Sequence, residues 1–254
     1  MKLQILGCSG GIGGGRRTTS LLVNDHILID AGTGVADLSI DNLCLIKTIF
    51  FTHSHLDHVT CMPFLADTVF SRHNHQVSLR GLPETLAAIK NYVLNGTIWP
   101  DFSMIPLVYP LLHYLPLHLY EQITTENLQI TSIPVSHSVP GVGYLVDDGH
   151  HAFAFSGDTT NNHTFWDLVA TCPRLDLIIV EVGFPDELLQ LAKISGHYTA
   201  TLLAEDLSRF HRSVPIYITH MKPGLEPIIM QECHNKILNH QLLTLSDGMI
   251  FDLS

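Results

Sequence analysis

The stretch FFTHSHLDHVTCMP, residues 50–63, sets His53, His55, Asp57 and His58 within six positions, directly after an apolar run at 45–51. No other feature constrains the chain as tightly. Four metal-binding side chains at the end of one apolar strand need a scaffold that brings further ligands to the same place. If the backbone stays extended past Phe51, then His53, His55 and Asp57 share one face and Leu56 turns inward. His58 then opens a helix and enters from another direction. So short a segment serves one zinc poorly but two neighbouring cations well. A surface histidine run is the plain alternative, but an HxHxDH pattern on an apolar strand is much more specific than that and points to metal.

A two-cation site needs more donors, since each ion takes four or more. PVSHSVPG offers His137, FSGDTTN offers Asp158 and YITHMKP offers His220. An aspartate is the natural bridge, because its two oxygens can reach two ions. Each of the three could by itself be a core or turn residue, and a Gly-Asp-Thr turn at 157–159 is common loop chemistry. Their shared position is what matters. His53, His137, Asp158, Glu181 and His220 all sit at or just past the end of a strand-like run, where layered α/β scaffolds gather reactive groups.

Short β-branched runs predict strands at 3–6, 20–23, 26–29, 48–52, 76–79, 128–134, 143–146, 152–156, 175–181, 215–219 and 249–251. Helical patterns occur at 83–95, 199–211 and 226–239. No linker, repeat or low-complexity tract interrupts the 254 residues, so we expect one mixed α/β layered domain over 1–254. With 46% hydrophobic and 15% charged residues the chain suits a compact fold. Histidine is over-represented, 17 against 13 Lys and Arg combined.

The formal net charge of −11 disfavours a large nucleic-acid footprint. Two divalent cations would bring it to about −7 with positive charge concentrated at the site, which suits a small anionic substrate. Five scattered cysteines with no CxxC pair read as reduced thiols in a cytoplasmic protein. The apolar run before Cys8 is too short for an export signal, and prolines at 106, 110 and 116 break the apolar segment 105–119, so neither is read as a membrane element. That segment is a candidate homodimer surface.

With these residues in view the sequence resembles the metallo-β-lactamase-fold hydrolases, over nearly its whole length. The resemblance implies an αββα sandwich, two mixed sheets packed face to face with helices outside. It implies one cation on His53, His55 and His137, a second on Asp57, His58 and His220, and Asp158 between them. Zinc is the first choice, with manganese or iron compatible. Two further patches narrow the family. GHYTA at 196–200 and EVGF at 181–184 resemble the phosphodiester-cleaving branches, which implies that His197 contacts the phosphate and protonates the leaving oxygen while Glu181 orients it. Otherwise His197 is a helix-start residue without chemistry.

NGTIWPDFSMIP at 95–106 and THMKP at 219–223 resemble class II 3′,5′-cyclic-nucleotide phosphodiesterases. Trp99 and Phe102 then form a wall for a nucleobase, or else an aromatic plug or dimer contact. Lys222 meets a phosphate oxygen, or is a solvated loop lysine. The implied reaction is hydrolysis of a cyclic nucleotide, cAMP first, to the 5′-monophosphate by a hydroxide shared between two cations, with Asp57 counted among the catalytic groups as well as the ligands.

Other patterns are decoys. GCSGG at 7–11 fits a nucleophile elbow, but no helix can follow in GIGGGRRT, and the same glycines miss the dinucleotide and P-loop patterns. A tight loop under the metal site, with Arg16 or Arg17 near substrate, is simpler. His73-Asn-His75 lacks a following Asp-His and reads as surface. Four other functions compete. A β-lactamase or thiolester hydrolase fits poorly. A tRNA 3′-end-processing endonuclease shares the ligands but would carry a basic, glycine-rich arm that is not found here. A non-catalytic metal- or cyclic-nucleotide-binding protein would need neither His197 nor Glu181.

Overall fold

The structure is a computed structural model and describes residues 1–72 and 75–253. The histidine at position 73, half of the discounted HxH pair, lies outside the described residues. Fourteen strands are described: β1 (Lys2–Gly7), β2 (Ser20–Val23), β3 (Ile27–Ile29), β4 (Thr48–Phe50), β5 (Val77–Gly81), β6 (Leu112–Pro116), β7 (Gln122–Thr125), β8 (Leu128–Pro134), β9 (Val142–Asp147), β10 (Ala152–Phe155), β11 (Leu175–Glu181), β12 (Ile216–Thr219), β13 (Leu242–Thr244) and β14 (Ile250–Asp252). They form two seven-stranded sheets, ordered β14-β1-β2-β3-β4-β5-β6 and β13-β12-β11-β10-β9-β8-β7. Both sheets are mixed, with β3 to β6 parallel in one and β10 to β13 parallel in the other.

Side-chain alternation accounts for the layering. Along β11, Leu177 and Ile179 pack between the sheets with Leu3, Ile5, Phe50, Tyr144 and Phe155, while Ile178 and Val180 point to the outer face. A strand buried on both faces reads as an unbroken apolar run, as LDLIIVE nearly does. The outer face of the second sheet is covered by α5 (His163–Ala170), α7 (Ala200–Leu207) and α8 (Glu226–Lys236), and that of the first by a group containing α3 (Met62–Val69) and α4 (Pro83–Ala88). The remaining α-helices are α1 (Ile40–Leu43), α2 (Leu56–Val59) and α6 (Leu189–Ser195). The expected αββα sandwich is therefore the observed fold. Among the described residues no helix is long and apolar enough to cross a membrane.

The helix expected at 83–95 is shorter, ending at Ala88 and loosening into a wider turn over Ile89–Val93. Strands β6, β7 and β13, and helices α1, α3, α5 and α6, were not expected, and the helix expected to open at His58 is α2, which begins two residues earlier at Leu56. The seven candidate ligands lie beyond the C-terminal ends of β4, β8, β10 and β12, with Glu181 closing β11, at one edge where both sheets end.

Candidate metal centre

After Phe50 the chain does not stay extended. It bends at Thr52, and α2 begins at Leu56 with His55, still extended, as its N-terminal flanking residue. Asp57 and His58 thus enter the site from the first turn of a helix. Leu56 is 67% exposed rather than turned inward, because a helical turn replaces the strand alternation that would have buried it.

The structure brings all seven candidate ligands together. Donor atoms of His53, His55, His137 and Asp158 lie within 4.8 Å of one another, as do those of Asp57, His58 and His220. Asp158 joins the two groups. Its Oδ2 is 3.6 Å from His53 Nε2 and 3.3 Å from both His58 Nε2 and His220 Nε2. Asp57 Oδ2 stands 3.9 Å from His58 Nε2 and 3.8 Å from His220 Nε2. His137 Nε2 and His55 Nδ1 are 3.1 Å apart, close to the roughly 3.3 Å between two nitrogens on one tetrahedral zinc.

Four rings are locked through Nδ1. His58 Nδ1 donates to Asp30 Oδ2 at 2.7 Å and His137 Nδ1 to the Gly196 carbonyl at 2.8 Å. His53 Nδ1 donates to Thr52 Oγ1 at 3.0 Å, whose own hydroxyl donates to Asp30. His220 Nδ1 lies 3.2 Å from Thr19 Oγ1. A proton on Nδ1 leaves the Nε2 lone pair free for a cation. The Nε2 atoms of His53, His58 and His220 are buried with no hydrogen-bond partner. Unsatisfied buried nitrogens of this kind are costly unless something binds them. Three orphaned nitrogens converging on one carboxylate are a donor set that fits divalent cations.

The electrostatics agree. Burial lowers the pKa of His53, His55 and His137, and takes His220 to about 3, so these rings are neutral donors at pH 7. Burial opposes charge on Asp158, but His220 and His58 outweigh it and hold the carboxyl well below its usual range. His58 is the exception: burial works against its charge, yet Asp158 and Asp30 raise it well above normal. Without a cation it is the ring that holds the extra proton, which a cation bound there would displace.

His197 and Glu181 form a separate pair beside this cluster. His197 Nδ1 donates to Glu181 Oε1 at 2.8 Å, and Glu181 is fully buried at the end of β11. The His197 ring is 5.0 Å from that of His137 and 5.4 Å from that of His220, stacked on the latter. Burial disfavours charge on His197, and the Glu181 carboxylate overcomes it, raising the imidazole. Glu181 itself is raised by burial, partly offset by His197. Lys222 Nζ donates to the Gly10 carbonyl at 2.7 Å and lies 5.8 Å from the centre of the Phe184 ring, and the Phe184 ring meets that of His197 at 5.6 Å.

Other expectations fare differently. Phe102 is 3% exposed, inside the core between the first sheet and its helices, with its ring 5.6 Å from Phe70. It has no face free for a nucleobase, because the loop folds back over the sheet. Trp99 is half-buried on the same core, edge-on to Phe64 at 5.0 Å. Arg16 pairs with Glu226 and Arg17 with Asp37. No helix follows GCSGG, where Ser9 Oγ bonds the Met221 carbonyl.

Asp30 was missed. It closes β3 in ILIDAG, is fully buried with φ +59°, and holds Thr52 through both the backbone N–H and the hydroxyl as well as His58. An aspartate straight after an apolar strand was the available signal.

The model of the beta-lactamase superfamily domain matches residues 25–221. The chain belongs to this superfamily. A relative named a probable 3′,5′-cyclic-nucleotide phosphodiesterase, from Yersinia pestis, is 24% identical over 87% of this chain and 78% of its own. The solved structure of unliganded yeast PDE1 superposes with a TM-score of 0.82 at 18% identity, covering 98% of each chain. Human tRNase Z, short form, superposes at 0.71 and 18% identity over 100% of both chains. Superfamily membership makes the chain one of the metallo-β-lactamase-fold hydrolases, with a His/Asp set able to bind metal.

Proposed function

We propose that this protein hydrolyses a 3′,5′-cyclic nucleotide, cAMP foremost, to the 5′-monophosphate, in one hydrolase domain spanning residues 1–254 that takes two divalent cations. Zinc is the first choice and manganese or iron suit the same donors. The observation that carries this reading is the His197–Glu181 pair: a buried, proton-holding imidazole beside the Asp158 cluster. A site that only stored metal would have no use for it.

His53, His55 and His137 would hold one cation, Asp57, His58 and His220 the other, with Asp158 serving both. When bound, such cations supply Lewis acidity, lowering the pKa of water and neutralising charge on phosphate oxygens. The protein's own groups do the rest. Glu181 keeps the Nδ1 proton of His197 in place, which leaves Nε2 to face the substrate. As the oxygen of water forms its bond to phosphorus, the P–O3′ bond breaks and His197 delivers a proton to O3′, recovering it from solvent afterwards. Asp57, part-exposed among the ligands, passes the proton of the attacking water outward. Lys222, fixed by Gly10, meets a phosphate oxygen. The buried Phe102 is withdrawn from the substrate contacts. Nucleotide-sized anions suit a chain of charge −11, and the five unpaired cysteines suit a reducing cytoplasm.

The test is turnover of cAMP, cGMP and bis(p-nitrophenyl) phosphate with added Mn²⁺ or Zn²⁺, with His197→Ala as control. The variant should keep its metal and lose about 10²–10⁴ in rate. An unchanged rate removes His197 as the acid, and binding of cAMP without turnover by metal-loaded protein favours a sensor. The second reading, a tRNA-processing endonuclease, draws on the superposition with tRNase Z. A salt-sensitive tRNA shift on native gels supports it, and no shift at low salt removes it.

A further inference from the structure

Between Phe102 and Leu111 the chain leaves the core and comes back. Both residues are buried among the helices of the first sheet. The base of the excursion is closed by two backbone bonds, Leu112 N–H to the Phe102 carbonyl at 3.1 Å and Leu111 N–H to the Ile105 carbonyl at 3.0 Å. The tip faces outward: Leu107 is 87% exposed, Val108 97% and Tyr109 59%. Ile98 and Phe64 are exposed as well, and the edge-on contact of Trp99 with Phe64 connects this flank to α3. Residues 102–112 contain no charged side chain. A tied loop that holds large apolar side chains in water is not accounted for by packing within this chain, and such faces mark interaction sites.

We propose that this face joins two copies of the protein across a twofold axis, each loop packing on the loop and flank of its partner. Charge decides the occupant. Each copy carries −11, so two copies repel over most of their surfaces and meet at least cost where charge is absent. An apolar patch is self-complementary and needs no counter-charge, which is what an interface between identical faces requires. A lipid surface is the competing occupant, and it calls for Lys or Arg beside the apolar tip. The sequence holds neither between Lys90 and Arg174, and Lys90 sits over the Tyr114 ring at 5.6 Å.

The experiment is sedimentation velocity at about 1–100 µM, the range in which a micromolar dimer would dissociate, on the wild type and on the double variant Leu107→Asp, Val108→Asp. The wild type should sediment as a dimer and the variant as a monomer with unchanged circular dichroism, a loss of at least about 100-fold in association. Val108→Lys alone reports the same interface if the double change disturbs folding. A wild type that is monomeric throughout overturns the proposal, as does a dimer that persists in the folded variants. Monomeric wild type that floats with phosphatidylcholine vesicles assigns the face to lipid instead.

Discussion

At the scale of single residues, the side chains behind the ligands are as informative as the ligands. Asp30 orients His58 directly and His53 through Thr52, so it controls two candidate donors from one buried position. Asp30→Asn should therefore weaken metal binding about 10–100-fold, measured by competition with a chromogenic chelator; affinity equal to wild type would show that the rings orient without it. Phe102 carries a contrasting prediction. As a core residue, its change to alanine should cost about 3–5 kcal/mol of stability in urea unfolding and leave the KM for a phosphodiester unchanged. A raised KM with normal stability would return it to the substrate wall. The clustering of the candidate ligand histidines was legible because packing alone rarely sets three imidazoles and a carboxylate within six positions of an apolar strand. Asp30 was not, since one acid after a three-residue strand looks like any turn. Phe102 misled because an aromatic residue between an aspartate and a serine in a loop gives no sign of whether that loop folds inward.

Secondary-structure elements determine how closely the site can be assembled. Helix α6 ends at Gly196, which has φ +75°, and its carbonyl receives the Nδ1 proton of His137. A Cβ built there would lie 2.8 Å from His137 Cα and from Ser138 N. The glycine is needed twice, for the left-handed turn and for the close approach. Gly196→Ala should push the 137–138 loop and the His197 segment apart, lowering the melting temperature and reducing metal occupancy below that of wild type by elemental analysis. Full occupancy would mean that the loops adjust. Strand placement was largely legible, because β-branched apolar runs buried on both faces have few alternatives. Helices were harder: α2 and α3 are cut from an apolar region in which the sequence shows no helical period over a useful length. The inward turn expected for Leu56 failed for that reason, strand periodicity having been carried too far into a helix.

For the whole molecule, burial of three unsatisfied imidazole nitrogens and one carboxylate in a single cluster predicts that stability depends on metal. Cations held by this cluster would have no assembled site on the unfolded chain, so at about 100 times Kd they should add about 2.7 kcal/mol. Exhaustive chelation should lower the melting temperature, and restoring Zn²⁺ should recover it. Identical melting curves with and without metal would argue against a bound cation. Overall charge pointed to a small anionic substrate as the reading to test, since net charge is a property of composition and needs no fold to be read. The outward-facing loop at 103–110 was visible only as an apolar, proline-broken segment, because exposure is a property of the folded surface and not of composition.

The candidate ligands are divided between the sheets. His53, His55, Asp57 and His58 follow β4 of the first, whereas His137, Asp158 and His220 follow β8, β10 and β12 of the second. Cations shared among them would act as a rivet through the rim of the sandwich. They would reinforce side-chain packing and a few backbone bonds between the layers, such as Val142 N–H to the Thr52 carbonyl and His220 N–H to the Cys8 carbonyl. Once the metal is gone, that rim is the natural place for the layers to part, and hydrogen exchange should quicken at the strand ends around Thr52 and Thr219 well before it reaches the strands deep between the sheets.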